Sequence, residues 1–138
     1  MKRHIVVLAL VVTTVAGSAL AAGDVSQTFA VPADRVWAVT HVVLRHLGWD
    51  IDKDDRAIGW ITTDSRKVAG EDYGVYAKGT RHRLRIIIKN AGAGKSTVSV
   101  ERTLFKRERI LFIDNDEVLS TNDRSVEQSI LAAIGKAL

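Results

Sequence analysis

The chain has 138 residues, no cysteine, and 20 basic against 16 acidic residues, for a formal charge of +4. That length supports one domain with one modest core. The missing cysteine excludes a disulfide framework, thiol redox chemistry, a cysteine nucleophile, thiolate metal sites and a lipid carried on cysteine.

Residues 1–22 read as a secretory signal. Lys2, Arg3 and His4 form a basic start, Ile5 to Val12 an apolar run, and Ala19-Leu20-Ala21 a small-residue exit. Thr13, Thr14, Gly17 and Ser18 interrupt the run before it reaches the roughly 20 apolar residues that a membrane span requires. Cleavage near Ala21 or Ala22 is therefore expected, leaving a periplasmic or secreted domain over residues 23–138 with no membrane span. Loss of Lys2 and Arg3 lowers its formal charge to +2.

Ser26 to Val31 alternates polar and apolar residues, as a first strand does. Pro32 then opens a helix over 32–47, with Asp34 at the positive end of its dipole and Gly48 as the stop. Val36, Val39 or Thr40, Val43, Leu44 and Leu47 recur at helical spacing, with Trp37 beside them, so that face needs a sheet to cover it. Trp49 to Lys53 and Gly59 to Lys67 alternate with period two around the polar bend Asp54-Asp55-Arg56, which predicts a hairpin. Val68 to Thr80 has three glycines and no clear period and reads as a mobile loop.

In Arg81 to Lys89, Arg81, Arg83 and Arg85 share one side of a strand, while His82, Leu84, Ile86 and Ile88 share the other. The turn Asn90-Ala91-Gly92-Ala93-Gly94 leads into Thr97 to Phe105, whose inner row is Val98, Val100 and Leu104. Folding back places Glu101 near Arg83 or Arg85. Lys78 to Arg109 holds ten Lys or Arg against Glu101 and Glu108, a patch that concentrates anionic partners. Asp114 to Thr121 reads as a polar connection. A final helix follows, capped by Asn122 or Asp123, with Val126, Ile130, Ala133, Ile134 and Leu138 on one stripe.

Several motifs fail on their chemistry. Gly92-Ala93-Gly94-Lys95-Ser96 resembles the end of a phosphate-binding loop, but Lys89 stands where its first glycine belongs and a strand follows instead of a helix. His41 and His46 are five residues apart, one too many to align two metal ligands on a helix. The acidic runs at Asp50 to Asp55 and Asp114 to Glu117 lack the calcium-loop pattern, and turn chemistry explains them. Trp60, Tyr73 and Tyr76 beside a glycine-rich loop form a candidate binding rim, and Arg81, Arg83 and Arg85 a candidate anion-binding face.

The order β-α-β-β-β-β-α is an α+β arrangement, an antiparallel sheet packed by one long helix and a C-terminal helix. The segments Phe29-x-Val31-Pro32-x-x-x-Val36-Trp37, Leu47-Gly48-Trp49, Ile58-Gly59-Trp60-Ile61-Thr62-Thr63, Arg81-x-Arg83-Leu84 and Ile130-Leu131-x-x-Ile134 resemble the helix-grip domains of the BamC lipoproteins of outer-membrane β-barrel assembly. The resemblance covers nearly the whole exported region and implies a non-enzymatic accessory module that binds other envelope proteins. Unlike those lipoproteins, this chain has no cysteine to carry a lipid. The expected function is binding of an envelope protein or an anionic envelope component, with no catalytic residue, metal, cofactor or nucleic acid. A small hydrophobic ligand held in a cavity lined by Val43, Leu47, Trp60 and Ile86 is the alternative. A hydrolase comes third and needs a cleft whose carboxylate or histidine has a shifted pKa.

Overall fold

The computed structural model describes residues 24–138, so the signal segment at 1–22 lies outside the described residues. The chain is α+β, with elements in the order β1 (Asp24–Phe29), α1 (Ala33–His46), β2 (Ile51–Asp55), β3 (Trp60–Thr63), β4 (Arg66–Asp72), β5 (Ala77–Asn90), β6 (Ser96–Ile110), β7 (Ile113–Leu119) and α2 (Ser125–Ala137). All pairings are antiparallel. Among the described residues no helix is long and apolar enough to cross a membrane.

The two long strands β5 and β6 stay paired from Ala77 opposite Arg109 to Asn90 opposite Ser96, and each changes its outer neighbour halfway along. In one half the order is β1-β6-β5-β3-β2, which forms the body of the domain. In the other half β4 flanks β5 and β7 flanks β6, which makes a four-stranded arm. At the changeover the Leu84 amide, left between β3 and β4, donates to Thr63 Oγ1 at 3.0 Å.

Both helices pack on one face of the body. Val36, Leu44, Ile130, Leu131 and Ile134 from the helices meet Ile61, Leu84, Ile86, Val98 and Val100 from the sheet, all of them buried. Helix α1 begins after Pro32, whose carbonyl accepts from the amides of Arg35 and Val36 at 3.1 and 3.2 Å. It ends at Gly48, whose φ of +82° would strain any other residue. Helix α2 starts later than its capping residues suggest, and its N-cap position is Arg124, with no side-chain cap. Asp123 instead accepts the Ser125 amide at 2.9 Å.

The largest differences from the expected elements are in the arm, and the expected strand Gly59 to Lys67 is divided between β3 and β4. The expected loop at 68–80 contains most of β4, the tight turn at Gly74-Val75 and the start of β5. The expected polar connection from Asp114 is β7, so six strands, not four, separate the two helices. Every residue of β4 and nearly all of β7 are exposed, so neither carries the one-sided apolar alternation that marks a strand. They are held by pairing and by charge. Leu104 also departs from expectation, being only half-buried while its neighbour Phe105 is buried on the opposite face.

The arm ends in an unusual turn. Leu111 and Phe112 connect β6 to β7 with φ of +50° and +66°. A two-residue turn with positive φ at both positions favours Asn-Gly, and a left-handed bulky residue costs about 1–2 kcal/mol. Replacing Leu111→Asn together with Phe112→Gly is expected to raise stability by about 2 kcal/mol, read as a higher urea midpoint with an unchanged slope.

Candidate binding face

The face of the sheet that carries no helix is built from the odd-numbered residues of β5 and β6. There Arg81 is opposite Phe105, Arg83 opposite Thr103, and Arg85 opposite Glu101. Next to Arg85 stands Thr62, and next to Ile87 stands Trp60. An open trough of about 870 Å³ lies on this face, lined by Trp60, Thr62, Arg83, Arg85, Glu101 and Thr103, with Lys53, Asp55 and Asp64 along the β2–β3 side.

The three predicted arginines have different surroundings. Arg81 is locked, because its Nε donates to Ser65 Oγ at 2.9 Å and its Nη2 to the Ser65 carbonyl at 2.8 Å. Arg85 is half-buried and pairs with Glu101, as the strand register requires. Its guanidinium also lies 5.2 Å from the Trp60 ring, and its buried Nε has no hydrogen-bond partner. Arg83 is exposed and makes no ion pair among the described residues; its guanidinium sits 5.4 Å from the Phe105 ring. Arg107 covers the same ring at 5.4 Å, which helps explain how Phe105 is only 2% exposed on a face without helices.

Trp60, 39% exposed, therefore joins Arg83 and Arg85 in the trough. Tyr73 and Tyr76 do not. They lie at the far end of the arm, beside Lys78, Glu108 and Ile110, and close a small hollow of about 220 Å³. The predicted site is thus two sites, separated by the length of the arm.

Between them an ion-pair network rigidifies the arm. Arg107 binds Asp116 through two parallel bonds of 2.8 and 2.9 Å, and Arg109 bridges Asp114 at 2.6 Å and Asp72 at 3.1 Å. The bonds from Arg107 hold the Asp116 carboxyl below the usual carboxylate range. The acidic run in β7 thus holds an edge strand in place. Among the described residues no group of three or more His, Asp or Glu is placed to hold a metal ion.

A second polar cluster, which the sequence pattern did not reveal, is buried on the helix side. Glu127, fully buried in the first turn of α2, accepts from Arg102 Nε at 3.1 Å. The Arg102 guanidinium lies 3.4 Å from His82 Nδ1, and the His82 ring packs 4.7 Å from Trp49. Arg66 in turn stacks 4.1 Å over Trp49. Arg102 was visible in the sequence only as an even-numbered break in the apolar row Val98, Val100, Leu104. Burial, reinforced by the charges of Arg102 and Arg66, pushes the His82 pKa down to about 4.

No protein-family model matches the chain, and no curated protein is significantly similar to it.

The neutral His82 has a consequence for stability. An unfolded histidine takes up its proton near pH 6.5, whereas folded His82 does so near 4, so between these values the unfolded chain binds the extra proton. Lowering the pH from 7 to 4.5 is expected to cost about 2–3 kcal/mol through this residue. Urea unfolding at both pH values should show the loss in the parent chain and a much smaller one in His82→Gln.

Proposed function

We propose that this chain is an exported, periplasmic binding protein of helix-grip type, similar to BamC domains, which receives a segment of an envelope protein on the helix-free face. The observation that carries this reading is the trough beside Arg83, the one predicted arginine that is both exposed and without an ion pair among the described residues. A bound carboxylate would find Arg83 open and Trp60 alongside as an apolar platform.

The signs of charge favour a polypeptide over a uniformly anionic polymer. Arg83, Arg85 and Lys53 lie close to Asp55, Asp64 and Glu101, so the trough presents both signs within one groove. A chain with mixed polar side chains complements such a surface, whereas a polyanion meets repulsion along the β2–β3 side. Binding also accounts for the site better than hydrolysis does. Thr63 Oγ1 is occupied by the Leu84 amide, and His82, the histidine with the shifted pKa, is buried on the other face. The residues expected to line a small-ligand cavity do not share one side, since Ile86 packs beneath the helices while Trp60 lines the opposite face.

Arg83 also gives the cleaner test. Reversing Arg81 or Arg85 breaks internal bonds, but Arg83→Glu changes an exposed charge and loses only its contact with the Phe105 ring, so its effect on stability should stay within about 1 kcal/mol. A photocrosslinking residue placed at Thr62 in intact cells is expected to capture a discrete protein partner, with at least tenfold loss in the Arg83→Glu background. The same residue at Gln128, on exposed α2, should capture none. Equal capture from both positions, or capture indifferent to Arg83→Glu, would overturn the reading.

A further inference from the structure

The far end of the arm gathers six large exposed apolar side chains. The tight turn joins Tyr73 to Tyr76, with the Tyr73 amide donating to the Tyr76 carbonyl at 2.7 Å. Ala77 pairs with Arg109 and Ile110 with Ile113, so Tyr73, Tyr76, Ile110 and Ile113 form one row across β4, β5, β6 and β7. Leu111 and Phe112 project beyond that row. All six are more than half exposed, with Phe112 and Ile113 each at 73%. The two turns are tied together, because the Phe112 amide donates to the Val75 carbonyl at 3.1 Å.

We infer that this tip inserts into the interfacial layer of a lipid bilayer. Four observations converge on a lipid surface. The first is shape: the apolar residues crown a narrow projection of four strands, and a soft surface can close around a projection where a flat protein face cannot. The second is height. On the face of that row the apolar tip gives way two residues back, at Lys78, Glu108 and Asn115, about 7 Å at about 3.3 Å per residue, while on the other face the mutually paired Arg109, Asp114 and Asp72 stand one residue back. That matches the 5–10 Å to which interfacial elements sink. The third is composition, with two tyrosines at the boundary, where an apolar ring and a polar hydroxyl suit the headgroup level. The fourth is backbone strain, since the chain holds Leu111 and Phe112 at positive φ where Asn-Gly would relax the turn.

Charge behind the tip is balanced: Lys78 and Lys106 face Glu108 and Glu117, while Arg107 and Arg109 are already paired to aspartates. Insertion should accordingly be driven by apolar burial and be indifferent to salt.

The test uses residues 24–138, which contain every described element and lack the apolar leader that would bind lipid by itself. Cosedimentation with phosphatidylcholine vesicles, and with vesicles containing about one-third phosphatidylglycerol, should show binding to both that survives a rise from low salt to about 0.5 M. The Leu111→Asn, Phe112→Gly pair should reduce binding at least tenfold while leaving the circular dichroism spectrum unchanged. Because this pair suits the turn, lost binding cannot be ascribed to a damaged hairpin. The inference is overturned if the parent chain stays in the supernatant, if the double variant binds equally well, or if binding requires phosphatidylglycerol and low salt. A dimer in sedimentation velocity that the double variant abolishes, without vesicle binding, would make a second copy the occupant and would overturn it too.

Discussion

The continuous ladder between β5 and β6 is the constraint from which the rest of the structure follows. Both strands run well past the body, so a single unbroken set of backbone hydrogen bonds spans two different surroundings. At one end the even-numbered side chains Leu84, Ile86, Ile88, Val98 and Val100 are buried against helices. At the other, both faces meet solvent. Because side chains alternate strictly along a strand, burial of the even-numbered row in the body determines which residues the arm presents on each side.

Arginine takes several distinct roles on this ladder, set by neighbours and not by residue type, and Arg81 is locked onto Ser65. Arg102 points inward among apolar residues and is compensated by Glu127, a partner provided by α2. Removing one member of such a pair would strand a buried charge, which makes the pair a strong determinant of where α2 sits on the sheet. Arg107 and Arg109 hold β7 and the β4–β5 turn through carboxylates. Arg85 balances Glu101 and flanks Trp60. Only Arg83, of the three in the predicted cationic row, is left open to an incoming anion among the described residues.

Body and arm therefore offer different kinds of surface. The trough is next to the changeover of strands, over a packed core, so its side chains are held by a rigid floor. The tip has no core beneath it and depends on ladder bonds, ion pairs and a strained turn. The two surfaces can be altered independently because they share no side chain.

Much of the body was legible in the sequence. Pro32, Gly48 and the apolar stripe between them delimit α1 because capping and periodicity are local properties, and the alternation in Arg81 to Lys89 separates Leu84, Ile86 and Ile88 from Arg81, Arg83 and Arg85 for the same reason. The hairpin placed Glu101 near Arg83 or Arg85, and the observed register selects Arg85. The strands β4 and β7 were not legible, since an exposed strand pairs through its backbone and needs no apolar period. Nor was the division of Trp60 from Tyr73 and Tyr76, because only the register shows that the latter belong to the arm. The sequence by itself determined which residues alternate, where the long helix starts and stops, and which side of β5 is cationic. Tertiary structure alone decided which arginines of β5 and β6 are already engaged, because Ser65, Glu127 and Asp116 are brought to Arg81, Arg102 and Arg107 from other segments of the chain.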